Sequence, residues 1–113
     1  MLVHYWRTAA TGQWRQRVLG YQAGVSRGDI GVDSQDNLFV VSAASNTGVL
    51  QIATASRASG WSDWSVRHRS AATFTSDPLL DHRLLKSDDI ASVFAPHNGG
   101  ARIDVLNFTS AGN

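Results

Sequence analysis

Cysteine and glutamate are absent, lysine and methionine occur once each, and proline occurs twice in 113 residues. Without cysteine there is neither a disulfide framework nor a thiolate zinc site. The redox compartment therefore leaves no mark, and the sequence assigns no cellular location. Without glutamate, and with a single lysine, the chain lacks residues that commonly build solvated helical faces. No apolar run approaches the length that spans a bilayer, so no membrane partner is expected. The start, Met1-Leu2-Val3-His4, shows no basic stretch followed by an apolar signal run. The formal net charge is only +1. The long-range field is weak, and nucleic acid is not expected as a partner.

What is present is arginine, aspartate, glycine and tryptophan. The cations are nine arginines and one lysine, and the acids are all aspartate. Arginine suits planar, two-pronged contacts with carboxylates, and aspartate suits turns. The bias also has a plainer explanation in the codon habits of a genome. Ten glycines punctuate the chain, and short alternating stretches lie between them.

The organising stretch is 28–69. It predicts four consecutive strands at 29–33, 37–43, 49–56 and 64–69, separated by polar turns. Leu38-Phe39-Val40-Val41 reads as a buried strand. Strands at such spacing make an up-and-down antiparallel sheet, which must cover its faces with another layer. Before it, residues 1–7 and 13–19 predict a hairpin, with Val3, Tyr5 and Arg7 alternating against His4 and Trp6. Residues 20–28 read as a glycine-rich loop that holds Tyr21. In the strand 64–69, Trp64, Val66 and His68 are expected on one face, with Arg67 and Arg69 on the other. Residues 70–76 read as a loop. After it come a bent strand at 78–85 and strands at 90–95 and 101–108, and no helix is expected anywhere.

The expected fold is thus a single all-β unit over 1–113. If four strands make one β-propeller blade, residues 1–19 are half a blade, 28–69 a full blade and 77–108 three strands of a further one. That is about two and a half blades of an incomplete ring. Open edges and bare faces in such a unit favour self-association. Completion by a longer chain and a different β fold are the alternatives.

Several features in order carry a resemblance. They are Tyr5-Trp6-Arg7 with Gly12-Gln13-Trp14, Gly28-Asp29-Ile30 with Asn37-Leu38-Phe39-Val40, and Leu50-Gln51-Ile52-Ala53-Thr54 with Trp61-Ser62-Asp63-Trp64. Pro78-Leu79-Leu80-Asp81-His82-Arg83-Leu84 with Ile90-Ala91-Ser92-Val93-Phe94 follows. Over residues 4–108 the chain resembles the C-terminal part of the BNR-4 (neuraminidase-type) repeat proteins, seven-bladed β-propellers. The strict Asp-box, Ser-x-Asp-x-Gly-x-x-Trp, is absent, and Ser56-Arg57-Ala58-Ser59-Gly60-Trp61 is a loose echo of it.

The resemblance implies a carbohydrate-active propeller portion. Some such relatives are polysaccharide lyases that cleave beside uronic acids; the alternative is a non-catalytic carbohydrate-binding or self-assembling module. The implied partner is a polysaccharide or oligosaccharide, including uronate-containing ones. On the lyase reading, Arg83 holds the uronate carboxylate, because its planar fork matches one. His82 and Tyr21 exchange the protons. In a strand, though, Asp81 and Arg83 would face away from His82. Trp61, Arg57 and His68 form the expected substrate-binding set, and His4 and Tyr5 are further candidates. A tryptophan either offers its face to a sugar or fills a seam between layers. Trp6, Trp14 and Trp64 are expected in the core, while both readings hold for Trp61 in its loop. No cofactor is expected. The oxygen-rich turn Asp33-Ser34-Gln35-Asp36-Asn37 does not have calcium-loop spacing, and such side chains commonly bond their own backbone.

Overall fold

A computed structural model describes residues 3–19, 28–43, 48–74, 77–96 and 103–109. Their strands are β1 (Val3–Arg7), β2 (Trp14–Val18), β3 (Asp29–Val32), β4 (Leu38–Ala43), β5 (Val49–Ala55), β6 (Ser65–Thr73), β7 (Leu79–Leu80), β8 (Ile90–Pro96) and β9 (Ile103–Thr109). They form three antiparallel sheets, β1-β2, β3-β4-β5-β6 and β7-β8-β9. Every pairing joins neighbours in sequence, and the sheets do not close into a ring. The all-β class and the grouping two, four, three agree with the sequence reading.

The central sheet forms because β4 and β5 are apolar on both faces. Every residue of β4 is buried, and so are five of the seven in β5. One face of the sheet meets β7-β8-β9 in the main core, where Phe39, Val41, Leu50 and Ile52 pack on Leu80, Leu85, Val93 and Ala95. Each fully buried leucine or isoleucine there contributes about 1.5–3 kcal/mol. The other face, with Leu38 and Val40, meets the hairpin β1-β2. The result is a stack of three layers, elongated to 47 × 30 × 22 Å.

Four expectations need correction. Residues 78–85 are not one bent strand. The two-residue β7 is followed by a helix, α1 (His82–Asp88). Asp81 caps it, accepting a 3.0 Å bond from the Leu84 N–H, and this side-chain acceptor satisfies one of the orphan donors of the first turn. Residues 70–73 are strand rather than loop, because β6 runs on to Thr73. Val66 and His68 lie on opposite faces: Val66 pairs with Ala53 and His68 with Ile52, so a bulge at Arg67 turns His68 toward the main core. Trp14 is not core but 69% exposed, since it stands on the outer face of the hairpin, where the Arg7 guanidinium lies 5.9 Å over its ring.

Candidate functional site

Three connections end at one edge of the stack: the β3–β4 turn, the β5–β6 loop and the junction of α1 with β8. The turn is built by Asp33. Its buried carboxylate accepts the N–H groups of Gln35 and Asn37 at 2.9 Å each and the Asn37 side-chain amide at 3.0 Å. These bonds are those of a self-bonded aspartate turn. They place Asp36 with a left-handed backbone, φ 63°. Its carbonyl accepts the Trp61 indole N–H at 2.9 Å. Its carboxylate meets Lys86 Nζ at 3.1 Å and Arg57 Nη1 at 3.5 Å. Asn37 Oδ1 accepts the Arg57 N–H at 3.1 Å, and Asp89 accepts both the N–H and the hydroxyl of Ser34.

The β5–β6 loop is equally self-sufficient. Ser56 caps a single 3-10 turn, Arg57–Ser59. Asp63 accepts from Ser56 N at 2.6 Å, Ser56 Oγ at 2.7 Å and Ser59 Oγ at 2.8 Å. These bonds, led by those from Ser56, hold the Asp63 carboxyl below the ordinary carboxylate range. Ser34 does the same for Asp89. Gly60 and then Trp61 take left-handed backbones, φ 71° and 58°. For a bulky residue that conformation is unfavourable by roughly 1–2 kcal/mol, and the surrounding bonds hold it there.

So held, Trp61 turns its ring to the hairpin. Its centroid lies 6.1 Å from that of Trp6 at 76°, and 6.4 Å from His4 at 88°. His4 stacks on Trp6 at 4.6 Å and meets Trp64 edge-on at 5.8 Å. Such offset and edge-to-face arrangements suit the charge distribution of aromatic rings. Two clefts open along this seam. One of about 280 Å³ lies against Trp6, Trp61, Leu38 and Arg7, and one of about 190 Å³ against Val3, Leu19, Ile30 and Val40. His4 borders both. Burial lowers the His4 pKa, which favours its neutral form. His4 Nδ1 and Trp64 Nε1 are buried there without a hydrogen-bond partner among the described residues.

The expected site residues do not converge. Arg57 and Trp61 both meet Asp36, at the edge just described. His68 lies on the other face of the sheet, stacked on Phe108 at 4.6 Å. Burial and, secondarily, the charge of Arg67 lower its pKa. It lines a polar cleft of about 210 Å³ with Asp33, Asp63, Thr54 and Arg67. His82 sits at the opposite end of β3, with Nε2 3.0 Å from both Asp29 carboxylate oxygens. Asp29 also accepts the Leu80 N–H at 2.9 Å. Arg83 is exposed on α1. Tyr21 lies outside the described residues. Sequence reasoning missed the Asp36 hub, since no periodicity links two turns 25 residues apart. It also placed Trp6 in the core, although Trp6 borders the aromatic cleft together with the further candidate His4. Among the described residues there is no group of three or more metal-ligating side chains.

No model of a known protein family matches the chain, and no curated protein matches it.

Proposed function

We propose that the chain is a non-catalytic carbohydrate-binding unit of propeller-blade type, holding an acidic oligosaccharide in the aromatic cleft between the hairpin and Trp61. One observation carries this reading. Trp61 is kept in an unfavourable left-handed conformation by bonds whose joint effect is to fix its ring beside Trp6. Strain retained by a self-bonded loop is a mark of a functional position. The apolar face of a pyranose lies well on such rings, and Arg15 stands directly opposite Trp6 on the same face of the hairpin. Residues 3–19 carry Arg7, Arg15 and Arg17 and no carboxylate. That charge favours a glycan bearing uronate carboxylates, which an arginine fork meets in two bonds.

A lyase would need its acid, base and carboxylate clamp at one sugar. His82 is engaged by Asp29 and Arg83 stands apart on α1, so the binding reading has the better support.

The test is calorimetric titration with uronate-containing and neutral oligosaccharides, with ultraviolet absorbance followed in the same mixtures. The expected result is saturable binding, tighter for the uronates, without the absorbance rise of an unsaturated elimination product. Trp61→Ala should weaken binding about tenfold, equal to roughly 1.4 kcal/mol. A growing absorbance would establish elimination instead. Absence of binding to every glycan would end the carbohydrate reading.

A further inference from the structure

The polar cleft on the main-core face of the central sheet takes no part in the binding reading. It is bounded by the β3–β4 turn, the end of β5, the β5–β6 loop and the start of β6. The register of β6 gathers polar side chains there. Thr54 and Ser65 are directly opposed, so their hydroxyls share a face. In a regular strand Ser65 and Arg67 would lie on one face and His68 on the other. The bulge makes Arg67 an extra residue between the Ala53–Val66 and Ile52–His68 pairs. It thereby returns His68 to the face of Ser65 and Arg67, and all three line the cleft. Bulges that re-aim a side chain in this way recur beside functional sites.

Three charged side chains line the cleft with His68: Asp33, Asp63 and Arg67. None has a counter-charge. Asp33 is only 3% exposed, and its carboxylate accepts from amides alone, those of Gln35 and Asn37. Those three bonds leave about one of its four acceptor sites free. Asp63 is held by Ser56 and Ser59, which are uncharged. The ion pairs among the described residues involve Asp29 and Asp36, not Asp33, Asp63 or Arg67. A buried carboxylate is commonly offset by an opposite charge. Here the cation in the same cleft stands apart from both carboxylates.

We propose that this cleft binds a small zwitterion of amino-acid type, with its carboxylate on Arg67 and its ammonium toward Asp33 and Asp63. The planar guanidinium meets a carboxylate in two charge-assisted bonds. The Thr54 and Ser65 hydroxyls, each donor or acceptor, serve the polar atoms between the two ends. An ion of one sign would leave the opposite charge of the cleft unmatched, which is the basis of discrimination. Size agrees. Pockets for drug-sized ligands run to about 300–1,000 Å³, and this cleft, at about 210 Å³, suits a single amino acid. Phe39 and Thr54 lie on the sheet face opposite Leu38 and Val40 of the aromatic seam. The proposal therefore does not depend on glycan binding.

Alanine, propionate and ethylamine share one carbon skeleton and differ in charge, so they test it directly. Each is titrated into the isotope-labelled chain while amide shifts are followed by NMR. Alanine is expected to give saturable shifts at Thr54, Asp63 and residues 65–68. Propionate and ethylamine, each lacking one charged contact, should bind about tenfold more weakly or less. Arg67 is exposed, so Arg67→Gln should keep the fold, as circular dichroism checks. That variant should weaken alanine binding about tenfold and leave ethylamine unchanged, and Arg67→Lys should recover part of the loss. A purely structural role for Arg67 would not separate the two probes. No saturable shift with alanine would overturn the proposal. So would equal affinity for all three probes, or an Arg67→Gln chain that binds alanine as the wild type does.

Discussion

Asp36 shows how much one residue can coordinate. Its carbonyl fixes an indole from the next turn, and its carboxylate holds Arg57 and Lys86 from two other segments. Those ion pairs are largely exposed and contribute little to stability, about 0–1 kcal/mol each. Their effect is positional: they set where Trp61 stands. Titration belongs to this scale too. His4 and His68 both have pKa values lowered chiefly by burial. The unfolded chain therefore takes up protons first as pH falls. The stability these residues provide is complete above the ordinary histidine value of 6.5 and is lost as pH drops below it. Asp63 and Asp89 act in a lower window, since their depressed values make stability fall only below the ordinary 3.8. Urea midpoints from pH 7.5 to 5.5 should decline. The paired substitution His4→Phe and His68→Phe should flatten that decline while leaving the acid-range loss in place.

At the level of elements, strands were legible and the helix was not. The alternation and turns placed β3, β4, β5 and the start of β6 within a residue or two of where they lie. The helix α1 spans seven residues, too few for a period to declare itself, and its cap Asp81 directly precedes His82 and Arg83, which read as lyase residues on a strand. The bulge at Arg67 is likewise invisible in sequence, because one extra residue moves a face without altering the apolar pattern. Where α1 meets β3, a glycine is required by space. A Cβ on Gly31 would come within 2.7 Å of Leu80 Cδ2 and 3.1 Å of Leu85 Cδ2. Leu85 is fully buried and has little room to yield. Gly31→Val should therefore lower unfolding free energy by about 1–3 kcal/mol through overpacking, read from a shifted urea midpoint.

Across the whole molecule, stability is uneven. Every residue of β2 is exposed, while every residue of β4 is buried. Backbone bonds with little apolar cover open most readily. Amide hydrogen exchange should accordingly be fastest in β1-β2 and slowest in β4, β5 and β8; equal protection across the three sheets would contradict the layering. The same connectivity bears on how the chain folds. Because each described strand pairs with its neighbours along the chain, every hydrogen-bonded ladder closes over a turn, a loop or the short helix α1. Low contact order of this kind speeds folding relative to other all-β architectures. During synthesis the hairpin and the central sheet can form as their residues emerge. The apolar face of the central sheet stays bare until β7, α1, β8 and β9 follow. Assembly on the ribosome thus has a vulnerable interval, bounded by the completion of β6 and the arrival of β9, in which that face is open to aggregation.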